Sequence, residues 1–184
     1  IVLAHALDDR GRFLTEFTIT RLAIDRFLLL SGAVAYQRDL DLLRFSLRPG
    51  EQVAIADVTD AWTTLIVAGP RSRDLLARLT SADLGNVAFP WLTGQEIEVA
   101  GIGVRALRVN YVGELGWELH VPMADIVSLY DAVWAAGAAL DLEYDLALRN
   151  GLRRVISYSV YPLGRMAWSI GNGNADVDVC PVRY

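Results

Sequence analysis

Apolar and polar residues alternate in short stretches from the start of the chain, separated by turn signals. Asp8-Asp9-Arg10-Gly11 reads as a turn. Phe13 to Arg21, with its Thr and Phe content, reads as a strand, and Arg26 to Ser31 as its hairpin partner. The period then changes. Tyr36, Leu40, Leu43 and Leu47 lie at helical spacing and predict a helix over 35–47, ended by Pro49-Gly50. Val53 to Thr59 and Trp62 to Ala68 read as two further strands around Thr59-Asp60-Ala61. Gly69-Pro70 opens a helix expected to reach about Leu79, with proline at the first helical position, where its missing N–H would be unpaired anyway. Gln95 to Ala100 and Val104 to Tyr111 predict a hairpin across Gly101-Ile102-Gly103. Trp117 to Val121 reads as one more strand. Pro122 opens a helix with Ile126, Tyr130, Val133 and Trp134 on one face, stopped by Gly137.

Strand pairs alternate with helices, and the tight hairpins call for antiparallel neighbours. The expected class is therefore α+β, not a doubly wound parallel sheet. From Asp141 the pattern blurs, so a domain is expected over 1–140 and a divergent tail over 141–184. In that tail the run from Gly171 to Asp176 reads as loop. Its Gly-x-Gly neither follows a clean strand nor opens a helix, and so lacks the setting of a dinucleotide fingerprint. The chain opens on Ile1, in what reads as the middle of an element, and is expected to be a fragment, incomplete on its N-terminal side.

Composition narrows the function classes. The 184 residues are 53% hydrophobic and 21% charged, as in a packed globular domain, and long enough to fold without disulfide or metal. The net charge is −5 and no basic run stands out, which argues against a nucleic-acid partner. The apolar runs fall short of the roughly 20 residues that span a bilayer, so no membrane is expected. One cysteine, Cys180, excludes a disulfide framework and suits a reducing compartment, cytoplasmic or, in a eukaryote, the mitochondrial matrix. The two histidines, His5 and His120, are too scattered for a zinc site, and no metal is expected.

The stretch Tyr111-Val112-Gly113-Glu114-Leu115-Gly116-Trp117-Glu118 carries the chemical signal. It reads as a strand, a glycine-flanked turn and a returning strand. Gly113 and Gly116 allow positive φ or a close backbone approach. The turn brings Tyr111 and Glu118 into one neighbourhood. A ring that packs and a carboxylate that accepts two adjacent N–H donors suit a heteroaromatic ligand. A plain hairpin with Glu118 facing solvent fits the same residues.

This stretch resembles the Tyr-x-Gly-Glu-x-Gly-x-Glu motif of the glycine-cleavage T-protein (aminomethyltransferase) family. Val112, Leu115 and Trp117 look most like its sarcosine and dimethylglycine dehydrogenase branch. Asp57 to Trp62, Gly69 to Asp74, Phe89-Pro90, and Arg26-Phe27-Leu28 with Asp39 downstream are similar to that branch in the same order. The resemblance runs from about Leu7 to Gly137. It implies tetrahydrofolate as cofactor, no flavin in this chain, and a small amine or its iminium as the other reactant. A flavin amine-oxidase domain is then the implied partner. By match, Tyr111 and Glu118 contact the pterin. Glu16 takes the place of a family aspartate that assists one-carbon transfer, one methylene longer. The family's Leu-Arg-x-Glu-x-Gly-Tyr run matches Leu152 to Tyr158 at its ends, without the Glu and Gly, which carries Arg153 and Tyr158 over as folate contacts. The implied activity is one-carbon (aminomethyl or methylene) transfer. The alternatives are a folate-binding sensor or scaffold without turnover, which the departures at Glu16 and in the tail favour, and an α+β interaction domain that binds no folate.

Overall fold

A computed structural model describes residues 1–109, 113–140 and 142, with backbone alone at 33 and over 155–162. The class is α+β, with two antiparallel sheets. The first holds β1 (Val2–Leu7), β2 (Phe13–Ala23) and β3 (Arg26–Leu30) in that order. The turn into β2 is built by Asp8, whose carboxylate accepts the backbone N–H groups of Arg10 and Arg12, each at 2.9 Å. A 3₁₀ turn, Ala33–Ala35, leads into α1 (Tyr36–Phe45).

The second sheet has five strands. They are β4 (Trp62–Ala68), β5 (Gly94–Val99), β6 (Ile102–Leu107), β7 (Gly116–Pro122) and β8 (Val155–Pro162), in the spatial order β5-β6-β7-β4-β8. Between them lie α2 (Ser72–Leu76) and α3 (Ile126–Gly137). One face of this sheet packs on both helices. Leu65, Val67, Trp117, Leu119 and Val121 meet Leu75, Leu76, Leu129 and Val133 there. Trp117, Leu65, Leu119 and Leu129 are all fully buried, each worth about 1.5–3 kcal/mol of transfer free energy. The other face meets the three-stranded sheet, where Leu28 and Leu30 pack on Ile66, Ala68 and Leu107.

Several elements differ from the sequence reading. Val53 to Thr59 forms no strand; Val53 is 56% exposed. Asp57 turns the chain locally instead, accepting the Thr59 N–H at 2.9 Å and the Tyr36 hydroxyl. α2 is a short helix that begins at Ser72, so Pro70 precedes it and is not its first residue. On α3 the inner face is Ile126, Leu129 and Val133, while Trp134 is 41% exposed and stacks on Tyr130. The helical stretch Met123–Leu140 has 18 residues and a mean hydropathy of 1.3, enough by length and composition alone to cross a membrane, although its inner face is part of the sheet core. β8, in the segment read as patternless, pairs antiparallel with β4. The β5–β6 hairpin turns on Ala100-Gly101, both with positive φ (53° and 80°), one residue earlier than expected. That is the two-residue turn whose twist matches paired strands.

Two substitutions test this packing. A Cβ on Gly116 would lie 2.8 Å from the Val67 carbonyl oxygen and 3.0 Å from the Ala68 Cα. Gly116→Ala should therefore cost roughly 1–3 kcal/mol, read as a lower Tm. Ala100→Gly relieves a left-handed alanine and should stabilise by a few tenths to about 1 kcal/mol in denaturant unfolding. A loss of stability there would contradict the turn.

Candidate functional site

β7 is covered on both sides, and its alternation sorts its side chains. Trp117, Leu119 and Val121 face the helices. Glu118 and His120 occupy the other face, towards the three-stranded sheet. Glu118 is 2% exposed and His120 fully buried, so the solvent-facing hairpin left open by the sequence is excluded. Ile66 and Leu107 flank Glu118 as its strand neighbours, and both belong to the apolar layer between the sheets. The His120 Nε2 lies 3.1 Å from the Glu118 Oε2, and its Nδ1 lies 2.8 Å from the Thr64 Oγ1. Thr64 is itself fully buried. On the other flank of His120 is Arg105, whose Nε reaches the Glu96 Oε1 at 2.7 Å. Its guanidinium sits 4.8 Å from the centre of the Trp62 ring.

The glycines beside Glu118 have separate reasons. Gly113 has φ +73°, and its missing side chain would meet open space. Gly116 is needed for its close approach to the β4 backbone. Leu115 holds the turn in place, its carbonyl accepting the Gly69 N–H at 2.7 Å and the Ser72 hydroxyl at 3.0 Å. Upstream, Arg108 donates to the Phe89 carbonyl and, at 2.8 Å, to the Asn86 side-chain oxygen, which Arg73 also reaches at 2.7 Å. Both guanidinium groups lie over the Trp117 ring. Burial first, and then the neighbouring Arg73 charge, lower the Arg108 pKa from its ordinary value.

Glu16 lies on β2 of the three-stranded sheet. It alternates along β2 with Thr18 and Thr20, whose strand partners Leu30 and Leu28 pack on the five-stranded sheet. Among the described residues, Thr20 Oγ1 is buried there without a hydrogen-bond partner. The Glu16 side chain is 30% exposed, and its Oε2 lies 2.7 Å from the His5 Nε2. It lines a pocket of about 200 Å³ together with Phe13, Thr15, Thr18, Leu30 and Ser31. Glu118 is not in that wall. Leu30 joins the two regions, since it lines the pocket and also packs in the cluster that holds the neighbours of Glu118. Asp39, on α1, is buried and accepts the Thr15 hydroxyl at 2.9 Å and Arg38 at 3.1 Å.

Tyr111 and Arg153 lie outside the described residues. Tyr158 is described in backbone only, where it pairs with Leu65, one rung from the Ile66–Glu118 pair. The sequence reading missed His120 and Thr64. The signal was present: Glu118-x-His120 puts two polar residues on one face of a strand whose other face is Trp117, Leu119 and Val121.

The family described as the GCVT N-terminal domain matches residues 1–158. Among curated relatives, the human mitochondrial dimethylglycine dehydrogenase is 38% identical over 136 residues, 73% of this chain and 16% of its own length. The 4-methylaminobutanoate oxidase (formaldehyde-forming) of Paenarthrobacter nicotinovorans is 40% identical over 138 residues, 74% of this chain and 16% of its own. The mouse mitochondrial sarcosine dehydrogenase is 37% identical over 169 residues, 84% of this chain and 18% of its own. The chain thus spans less than a fifth of the length of these relatives. On that match, over most of its length, the chain belongs to the GCVT N-terminal domain family.

Proposed function

We propose that this chain is a tetrahydrofolate-binding module for one-carbon transfer, in which Glu118 holds the pterin. The observation that carries the reading is the buried Glu118 carboxylate in an apolar layer between two sheets. A carboxylate is costly to bury unless hydrogen-bonded. His120 fills one of its roughly four acceptor sites. The adjacent ring N–H and amino donors of a pterin edge match what is left, as a guanidinium would. Tyr111, Arg153 and Tyr158 belong to the same reading as further folate contacts.

Tetrahydrofolate, when bound, supplies the nitrogen nucleophiles that accept a methylene-level carbon from an amine-derived iminium. Glu16 lines a pocket that shares Leu30 with the cluster beside Glu118, and it is the residue we assign to proton handling and to stabilising positive charge as the carbon is passed on. The iminium would come from a small secondary or tertiary amine, oxidised by a flavin-dependent partner unit. A reducing compartment, the cytoplasm or the mitochondrial matrix, suits both.

One observation favours a module that binds without turnover. Glu16 is a methylene longer than the family's aspartate, and it is engaged by His5. Displacements of order 1 Å matter to catalysis far more than to binding.

Calorimetric titration with tetrahydrofolate tests the binding site. The wild-type chain should bind, and Glu118→Gln, which keeps the shape and removes the charge, should weaken binding about 10–100-fold. Equal affinity in the variant would remove Glu118 from the pterin site. Glu16→Gln should leave affinity within a few-fold while lowering methylene transfer about 10²–10⁴-fold. A wild-type chain that binds folate and shows no transfer, with transfer gained in Glu16→Asp, would establish the binding-only reading.

A further inference from the structure

The comparisons and the family motif assign no part to His120, yet it is the fully buried centre of a three-residue polar row. Its Nδ1 is 2.8 Å from the Thr64 Oγ1 and its Nε2 is 3.1 Å from the Glu118 Oε2. Thr64 and His120 are register partners on adjacent strands, and Glu118 is two residues from His120 on the same face of β7. We propose that His120 is a positioning residue: held by Thr64 at Nδ1 and donating a proton from Nε2, it orients the Glu118 carboxylate for its ligand.

The proton assignment follows from what each neighbour can do. An ionised carboxylate only accepts, so the nitrogen facing Glu118 must carry hydrogen. The remaining nitrogen of a neutral ring is an acceptor, and the Thr64 hydroxyl is free to rotate and donate to it. On the other flank of the ring lies Arg105, paired with Glu96. The arrangement resembles the way an outer partner fixes the tautomer of a ligating imidazole, with the order reversed: here the imidazole fixes the carboxylate.

Glu118 is flanked by the apolar strand partners Ile66 and Leu107, and His120 is the hydrogen-bond partner that fixes its rotamer. With that bond, one oxygen is anchored and the remaining acceptor sites keep one direction. A ligand edge with two parallel donors depends on that direction more than a single donor does.

This inference rests on the pterin reading of Glu118, and the test separates the two. His120→Gln keeps an N–H donor near the Nε2 position, whereas His120→Asn keeps one near Nδ1, facing Thr64. Tetrahydrofolate affinity, measured by calorimetry, should stay within about threefold of wild type in His120→Gln and fall about 10–100-fold in His120→Asn. A role in packing alone would follow side-chain volume. His120→Leu, which fills the site without a donor, should instead bind as weakly as His120→Asn, and melting curves check that all three fold. Nitrogen NMR of the wild-type chain, which has two histidines, should show one buried ring protonated at Nε2, its signal lost in all three variants. An Nε2 that carries no proton, or equal affinities in His120→Gln and His120→Asn, would overturn the positioning role alone. No binding by a folded wild-type chain would overturn the pterin reading, and this role with it.

Discussion

A strand covered on both faces can keep a polar side chain only by giving it a partner, and β7 is such a strand. Its pairing with β4 on one side and β6 on the other places it at the centre of the five-stranded sheet. The helices bury Trp117, Leu119 and Val121, and the three-stranded sheet covers the opposite face. Glu118 and His120 therefore sit where a protein core would hold two aliphatic residues. Their bond to each other, and that of His120 to Thr64, make the burial tolerable. The close approach of Gly116 to Val67 and Ala68 fixes the start of β7, and with it the face on which Glu118 falls. A slip of one residue would exchange Glu118 with Trp117 and place a carboxylate against Leu75 and Leu129.

The same constraint explains why the candidate site is split between two sheets. Glu118 is buried on the central strand of its sheet. Glu16 is partly exposed, on a three-stranded sheet whose edges are less covered, and is already bonded to His5. Tight, oriented binding draws on the first environment. Proton exchange with a reactant needs the access that the second provides. Leu30 belongs both to the pocket wall beside Glu16 and to the cluster beside Glu118.

Much of the fold was legible because short-range signals and burial agreed. The β2–β3 hairpin, α1, β4 and the helix after Pro122 lie where their periods place them. Val53 to Thr59 shows the limit of strand propensity: β-branched residues favour a strand only where a neighbour pairs with them, and here Asp57 offers the backbone a local turn instead. β8 failed in the other direction. Its sequence has no clean alternation, and its existence depends on the free edge of β4, which no local window contains. Trp134 was placed on the inner face by helical spacing with Ile126, Tyr130 and Val133, whereas Leu129 fills that face of α3. At the site, the motif Tyr-x-Gly-Glu-x-Gly-x-Glu pointed to Glu118. Only the covering of both sheet faces revealed that it is buried, and only the cross-strand register revealed Thr64 as the support of His120.

The central claim is that a buried carboxylate between the two sheets recognises a paired-donor edge of folate. A crystal structure of the chain soaked with tetrahydrofolate tests this most directly. The pterin should lie in the layer between the sheets, with its amino and adjacent ring nitrogens about 2.7–3.0 Å from the Glu118 oxygens, typical of charge-assisted bonds. A ligand seated elsewhere, with Glu118 still bonded to His120 and to nothing else, would contradict it.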